Sequence, residues 1–208
     1  MDDHFSHFLK KMGPAIDKRS VPHSSIERYR GHLPDQLLAY WEEHGWCGYA
    51  DGLFWTVNPQ EYEPVLEAWI GETPLMEEDS YYVIARSAFG DIYLFGSAYG
   101  RKLHIVAPDA KMMPPRKGTV EVNLSIRAFF GSQSRGACDF ADVNGMDLFA
   151  SALKKLGGLK HDEMYGFVPA LALGGPATID HLQKVKAVEH LVLLAQFAPL
   201  EIITSLPS

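Results

Sequence analysis

Residues 53–70 read LFWTVNPQEYEPVLEAWI, and this stretch indicates both kinds of secondary structure that the fold needs. Residues 53–57 form a short run of apolar and β-branched side chains, which is typical of a strand. Asn58 can cap a helix, Pro59 suits its first position, and Glu61 is an acid in its first turn. A strand that passes directly into a capped helix predicts an α+β fold.

The helix that follows Asn58 has the clearest amphipathic pattern in the chain. Its apolar stripe consists of Tyr62, Val65, Leu66, Trp69 and Ile70. The side chains of Glu61, Glu63 and Glu67 lie on the opposite side of the helix. We therefore expect these three glutamates to face outward.

Two more helices are predicted upstream of this stretch. Phe5, Phe8 and Met12 recur at helical spacing, and the pair Gly13-Pro14 ends that helix. The other helix begins at Pro34 and ends at Gly45. Residues 17–33 between them look irregular.

A β-rich centre follows. The predicted strands cover residues 81–89, 92–95, 102–107 and 119–122. Gly90-Asp91 indicates a tight hairpin turn between the first two strands. Residues 108–118, which include Pro114-Pro115, are expected to be turns, and a short helix is expected at 124–130.

The small polar run at 131–136 is the expected connection between two parts. After it, the spacing of Val143, Met146, Phe149, Leu153 and Leu156 predicts one helix that ends at Gly157. A last helix is predicted from Thr178 to about Ala198. A strand over 165–173 lies between them. The sequence thus predicts an α+β domain at residues 1–130, with a central antiparallel sheet and flanking helices, and a mostly helical C-terminal lobe at 137–208.

Charge is unevenly distributed. The segment from Gly31 to Ala85 contains no Lys or Arg, and it holds 11 of the 26 acidic residues. The remaining 15 acids stand against all 19 basic residues, so the rest of the chain is near +4. An acidic surface repels nucleic-acid phosphates and attracts basic proteins, so no direct nucleic-acid binding is expected there. A plain solubilising surface explains the same charge equally well.

Tryptophans concentrate in this acidic window. Trp41 and Trp69 fall on core stripes, whereas Trp46 and Trp55 lie near element ends among glycines and acids. Aromatic rings rimmed by charge are typical of a protein-recognition surface, although all four rings could belong to the core. The candidate partner-contacting residues are Glu42, Glu43, Trp46, Asp51, Trp55, Glu61, Glu63, Glu67, Glu77, Glu78 and Asp79.

The sequence offers no catalytic constellation. It contains no nucleophile elbow, phosphate-binding loop or dinucleotide fingerprint. The nine histidines follow no metal-ligand spacing, and Cys47 and Cys138 are expected to be buried or half-buried thiols. We therefore expect no catalytic residue, cofactor or metal, and a protein that acts by binding and not as an enzyme.

The location of the protein is also constrained. No stretch approaches the roughly 20 apolar residues of a membrane helix. The first residues are acidic and polar, unlike the start of a secretory signal. A cytoplasmic protein without membrane contact is expected.

Several stretches resemble a known family. LPDQLLAYWEEHGW at 33–46, GLFWTVNP at 52–59 and AFGDIYLF at 88–95 resemble the bacterial GAD-like domain. The part from Asp142 to the last helix, including YGFVPA at 165–170, is similar to the domain that accompanies it at the C-terminus. This arrangement resembles immunity proteins paired with type VI secretion DNase effectors, and more weakly the SUKH-type immunity proteins.

The resemblance implies stoichiometric inhibition of a cognate toxin, with no catalytic residues. A nuclease toxin presents a basic groove that an acidic inhibitor can approach and occupy. Two alternatives remain open. The GAD-like domain is distantly similar to an insertion domain of tRNA-charging and amidotransferase proteins, so an RNA-associated module with a basic surface stripe is one. A hydrolase with an unrecognised pocket of carboxylates and histidine is the other.

Overall fold

The computed structural model describes residues 2–116 and 121–203. The helices are α1 Asp3–Met12, α2 His23–Tyr29, α3 Asp35–His44, α4 Glu63–Ile70, α5 Leu75–Glu78, α6 Val122–Ser132, α7 Arg135–Cys138, α8 Phe149–Leu156 and α9 Ala187–Leu194. The strands are β1 Ile16–Arg19, β2 Trp46–Tyr49, β3 Phe54–Thr56, β4 Tyr81–Ser87, β5 Asp91–Gly96, β6 Lys102–Val106, β7 Lys111–Arg116, β8 Glu163–Phe167, β9 Leu182–Lys186 and β10 Glu201–Ile202.

An eight-stranded sheet organises the chain, in the order β1-β2-β3-β4-β5-β6-β7-β10. Strands β1 to β7 pair antiparallel along the sequence, and β10 returns from the C-terminal part to pair with β7 in parallel. Strands β8 and β9 form a separate antiparallel pair. The expected α+β fold with a central, mostly antiparallel sheet is confirmed.

Helices α1 and α6 cover one face of the sheet. The ring of Phe8 lies 5.7 Å from that of Phe54 on β3 and 5.4 Å from that of Phe130 on α6. The Lys11 ammonium donates a hydrogen bond of 2.7 Å to the carbonyl oxygen of Gly131. This face is therefore closed by elements that are distant in sequence.

The other face carries α4 and the C-terminal part. Successive residues of a strand point to opposite faces, so Trp55 points away from its neighbour Phe54. On this side the Trp69 indole donates to the Leu191 carbonyl of α9 at 3.0 Å, and the Tyr165 N–H donates to the Ala88 carbonyl at 2.8 Å. One continuous core of buried residues runs through both parts of the chain.

The helices with clear sequence signals form where expected. Helix α1 ends at Gly13 and α3 ends at Gly45, and both glycines have positive φ. The Asn58 side chain accepts the N–H of Gln60 at 3.2 Å, which confirms the predicted cap. A 3-10 turn, Pro59–Tyr62, leads from this cap into α4.

Two predictions about the N-terminal part are wrong, and a third lies partly outside the described residues. Residues 17–33 are not irregular, since they contain most of β1 and all of α2. Residues 108–118 contain β7, whose ladder with β6 has an irregular register next to Pro114-Pro115. Of the strand predicted at 119–122, residues 119 and 120 lie outside the described residues, and Val122 begins α6.

The C-terminal part also differs from the prediction. The predicted helix through Val143 begins only at Phe149, and the first half of the predicted last helix is strand β9. The strand expected at 165–173 is β8, which ends at Phe167. Gly131 and Ser132 end α6, and Ser134 caps α7. The division into domains at this point stays a prediction. Among the described residues, no helix is long and apolar enough to cross a membrane.

Candidate functional site

Helix α4 displays two unpaired acids. Glu63 and Glu67 are one helical turn apart and exposed, as their periodicity predicts. Neither carboxylate has an ion-pair partner among the described residues. The outward face of α4 therefore carries two uncompensated negative charges.

Three other predicted acids are paired with arginines from outside the acidic window. Arg19 donates to both carboxylate oxygens of Glu61 at 2.8 and 3.0 Å. Burial acts to raise the pKa of Glu61, but these hydrogen bonds outweigh it and hold the pKa below its usual value. Arg101 pairs with Glu78, and Arg135 pairs with Asp51 at 2.9 Å. A segment without Lys or Arg in sequence is thus partly neutralised in space by arginines from other parts of the chain.

Asp79 serves the fold. Its carboxylate is buried and accepts the N–H groups of Ser80 and Ala98, each at 2.8 Å. These bonds tie the start of β4 to the turn after β5. Asp79 is therefore not displayed to a partner.

The two tryptophans among the candidate contact residues are in the core, which is the alternative that the sequence left open, so neither ring is displayed to a partner. Trp46 is 4% exposed and Trp55 is 1% exposed. The Trp55 indole donates to the Gly52 carbonyl at 2.7 Å, and the Arg86 guanidinium lies 5.3 Å from its ring. Trp46 packs edge-on against Trp41, with Arg19 on its ring. The tertiary fold brings these arginines over the rings and removes the rings from solvent.

The remaining predicted acids, Glu42, Glu43 and Glu77, are exposed. Glu43 has His44 as a neighbour at 3.7 Å. Burial lowers the pKa of His44, so its imidazole is neutral at pH 7 and leaves the Glu43 charge uncompensated. Together with α4, these residues keep the acidic character of the N-terminal part.

A fully buried arginine joins the two parts of the molecule. Arg86 on β4 donates from Nε to the Tyr62 hydroxyl at 2.8 Å and from Nη1 to the Ser87 carbonyl at 3.1 Å. Its Nη2 donates to the carbonyls of His161 and Glu163 at 2.9 and 2.7 Å. No carboxylate pairs with it among the described residues. Sequence reasoning missed this residue because two of its four partners are backbone carbonyls 75 and 77 positions away.

A serine, an aspartate and a histidine meet beside the β4–β5 hairpin, but not in a catalytic order. Ser87 donates to Asp91 at 2.7 Å, and His104 Nε2 lies 3.0 Å from the other carboxylate oxygen. In a hydrolase triad the histidine stands between the serine and the carboxylate. Here the carboxylate is central, and the buried Ser87 hydroxyl also accepts the N–H groups of Phe89 and Asp91. The cluster shapes the turn at Gly90.

The hydrolase alternative finds no other support in the described residues. A surface pocket of about 200 Å³ between the starts of α3 and α6 is lined by one carboxylate, Asp35, and one histidine, His32. No group of three potential metal ligands occurs in the described part of the chain. Cys47 and Cys138 are buried free thiols, as predicted, and burial raises the pKa of Cys138 to about 12. Neither thiol is a nucleophile at neutral pH.

Exposed apolar side chains lie where the sequence did not indicate them. The large hydrophobic residues that are exposed are Tyr99, Leu124, Val143, Met146, Val168, Leu173, Leu193 and Ile202. Five of these eight lie between residues 143 and 193, and none lies in the acidic window. Val143 and Met146 escaped notice because their spacing fits a helical stripe, although both lie in a turn.

Comparisons with known proteins agree with this two-part organisation. A family model of the GAD-like domain matches residues 3–109, and a model of the C-terminal domain of the type VI secretion system (T6SS) immunity protein Tdi1 matches residues 124–198. Both matches confirm the resemblance that the sequence indicated. No curated protein matches the chain.

A solved structure shares the fold. The crystal structure of Atu4351 from Agrobacterium tumefaciens superposes with a TM-score of 0.84 at 20% identity, over 95% of this chain and 91% of that one. At this identity the likeness shows the fold alone. The GAD-like match spans just over half of the residues, and the second match supports a role in T6SS immunity. The chain therefore belongs to the GAD-like domain family, and the segment behind that domain matches the model of the C-terminal domain of the T6SS immunity protein Tdi1.

Proposed function

We propose that this chain binds the nuclease domain of a cognate T6SS effector, most simply a DNase, and neutralises it stoichiometrically in the cytoplasm of the producing cell. The match of residues 124–198 to an immunity domain carries the proposal. An immunity protein acts on a toxin partner, and a DNase would have to be stopped where the DNA is.

The charge of the described surface favours a basic partner. A nuclease holds DNA through Lys and Arg side chains that neutralise phosphates, so its groove is positive. Glu63 and Glu67 on α4, together with Glu42, Glu43 and Glu77, are exposed acids without a cationic partner among the described residues. Such charges accelerate the encounter with a basic protein.

Binding alone is sufficient for this role. The Ser87–Asp91–His104 cluster has the wrong order for acyl transfer, and its serine is buried. An inhibitor without turnover must be present in at least the amount of its target. The ratio of inhibitor to toxin at full protection therefore distinguishes binding from catalysis.

The test uses the cognate effector, which is to be sought among the genes beside this one. Co-expression should restore growth, and titration of the purified effector should end DNA cleavage at one chain per effector. Inhibition by far less than one equivalent would indicate an enzyme. If growth is restored but the effector cleaves no DNA, this chain is an immunity protein and the proposal that its effector is a DNase is wrong. Tight binding of the purified chain to tRNA at ordinary salt would favour the RNA-associated alternative instead.

A further inference from the structure

Residues 141–147 form a closed turn at the surface of the C-terminal part. Ala141 and Asp147 are paired in an antiparallel bridge, and the Asp142 N–H donates to the Met146 carbonyl at 2.8 Å. The Asp142 carboxylate accepts the N–H groups of Asn144 and Met146 at 2.8 and 2.9 Å. The turn is thus fixed by its own hydrogen bonds.

This turn presents two large apolar side chains to solvent. Val143 is 64% exposed and Met146 is 66% exposed. Methionine is unbranched and polarisable, so it adapts well to a partner surface. Because the backbone is already ordered, a partner would bind these side chains without the entropic cost of ordering the turn.

A second loop adjoins the turn. The Val143 N–H donates to the Ala177 carbonyl at 3.1 Å, which joins the turn to the loop between β8 and β9. In that loop the Leu173 N–H donates to the Ala170 carbonyl at 2.9 Å, and the Leu173 side chain is 59% exposed. The turn thus displays Val143 and Met146, and the loop that adjoins it displays Leu173. Exposed apolar side chains on adjoining segments can mark a site of protein association.

Acidic side chains outnumber basic ones beside this apolar surface. Residues 136–153 and 161–183 contain no Lys or Arg, and Lys155 reaches the carbonyl of Ile179 at 3.2 Å. Asp142 is ionised at neutral pH, because the hydrogen bond from the Met146 N–H lowers its pKa. Asp147 is exposed and has no ion pair among the described residues, and Asp180 pairs with Lys155. The surroundings of this surface therefore suit a partner with basic groups around an apolar contact.

We infer that Val143 and Met146 on this turn are the apolar anchor by which the basic effector is held, an inference that rests on the proposed function. Contacts between proteins draw most of their affinity from a few apolar anchors inside a polar rim. A second copy of this chain is the poorer occupant. In a symmetric dimer this surface would place Asp142 and Asp147 of one copy against the same acids of the other.

The first experiment measures binding of the purified domain of the cognate effector. Val143→Ser/Met146→Ser should weaken binding by about 100-fold, mainly through faster dissociation, as expected for hot-spot residues. Tyr99→Ser/Ile202→Ser, which removes two comparably exposed side chains elsewhere, should stay within about 3-fold of the wild type because peripheral contacts are nearly neutral. Circular dichroism and thermal unfolding would verify that both variants fold.

A second measurement needs no variant. Amide hydrogen exchange of the wild-type chain should slow at residues 141–147 and 171–177 when the effector is added. If a variant lost binding because it misfolded, this measurement on the wild-type chain would still test whether the two loops contact the effector.

The outcomes separate the two levels of the proposal. If the wild-type chain neither binds nor protects against the effector, the proposed function fails and the anchor fails with it. If the wild type binds, but the Val143/Met146 variant binds equally well and these loops gain no protection, only the anchor inference is overturned. Self-association of the wild-type chain that the same variant abolishes would assign the surface to a second copy and would also overturn it.

Discussion

The outward face of α4 and the turn at residues 141–147 both expose acidic side chains and both lie in stretches of sequence without Lys or Arg, yet they offer a partner different things. Glu63 and Glu67 provide charge, and no large exposed apolar residue accompanies them in the acidic window. The turn provides fewer charges but displays Val143 and Met146 on a backbone fixed by hydrogen bonds. Charge acts at a distance and sets the rate of encounter, whereas apolar contact sets the residence time. A charge pattern in sequence therefore locates the approach and not the anchor.

Arg86 joins the part of the molecule that carries α4 to the part that carries the turn. Its substitution is expected to have the largest effect, a loss of stability. Arg86→Met keeps much of the side-chain length, but it leaves the Tyr62 hydroxyl and the carbonyls of His161 and Glu163 without their donor. We expect the free energy of unfolding to fall by about 3 kcal/mol, because buried groups left without hydrogen bonds are costly. Urea unfolding followed by circular dichroism measures the loss.

Arg28→Met is the matched control for this change. Arg28 is exposed on α2, so its loss should change stability by less than about 0.5 kcal/mol. An Arg86→Met variant as stable as the wild type would mean that Arg86 contributes little to holding the two parts together. The other contacts between them, such as the Trp69–Leu191 hydrogen bond and the β7–β10 pairing, would then be sufficient.

A charge reversal on α4 is expected to have an intermediate effect, on the rate of association with the effector. Glu67→Lys should slow association with the effector by about 5- to 10-fold at low salt, with little change in dissociation, because an exposed charge acts mainly on the encounter. Glu61 is left in place because it pairs with Arg19. Stopped-flow or surface-based kinetics at two salt concentrations would separate the two rates.

Glu201→Lys provides the control, since it makes the same charge change on β10. It should alter association less than Glu67→Lys does. If Glu67→Lys instead accelerates dissociation as strongly as the Val143/Met146 variant, α4 also anchors the partner, and the contrast between the two surfaces disappears.

The smallest expected effect is on the pH dependence of stability, and it comes from a histidine in the C-terminal part. The His190 imidazole lies against β8, where a Cβ added to Gly166 would come within 2.7 Å of Nε2. Burial lowers the pKa of His190 below its ordinary value of 6.5. Since the unfolded chain binds this proton more readily, its contribution to stability is complete above about pH 6.5 and is lost as the pH falls through the lowered pKa.

His190→Gln should therefore make the loss of stability on acidification less steep. Urea unfolding at pH 7.5 and 5.5 measures the slope for the wild type and the variant. His7→Gln, on the exposed side of α1, should leave the slope as it is in the wild type. An unchanged slope in His190→Gln would place the pH sensitivity elsewhere, with the partly buried His44 as the next residue to substitute.

Elements with local start and stop signals were predictable from the sequence. Gly13 and Gly45 end helices, Asn58 caps a helix, and Gly90 turns a hairpin, and each signal acts within a few residues. Strands β7 and β9 were missed because their pairing partners decide them. The first contains two prolines and still pairs at an irregular register, and the second follows a helical spacing but pairs with β8.

The candidate site was predictable to a similar degree. Helical periodicity placed Glu63 and Glu67 outward, because one helix face is a local property. Trp46 and Trp55 were placed among the candidate contact residues because glycines and acids surround them in sequence, whereas Arg19 and Arg86 cover them in space. The pairing of Glu61, Glu78 and Asp51 was hidden for the same reason, since each partner arginine is at least 23 positions away.

The contact between α1 and α6 has a consequence for the timing of synthesis. The Lys11 ammonium binds a carbonyl that lies 120 residues further along the chain. A ribosome that adds about 5–20 residues per second needs roughly 6–24 s to reach that residue. Strand β10 joins the sheet later still, after the whole C-terminal part has been made. Until these residues have been synthesised, a nascent chain therefore cannot complete the eight-stranded sheet or form the contact between α1 and α6. If the protein guards its cell against a toxin, protection at the moment of attack rests on the molecules already finished.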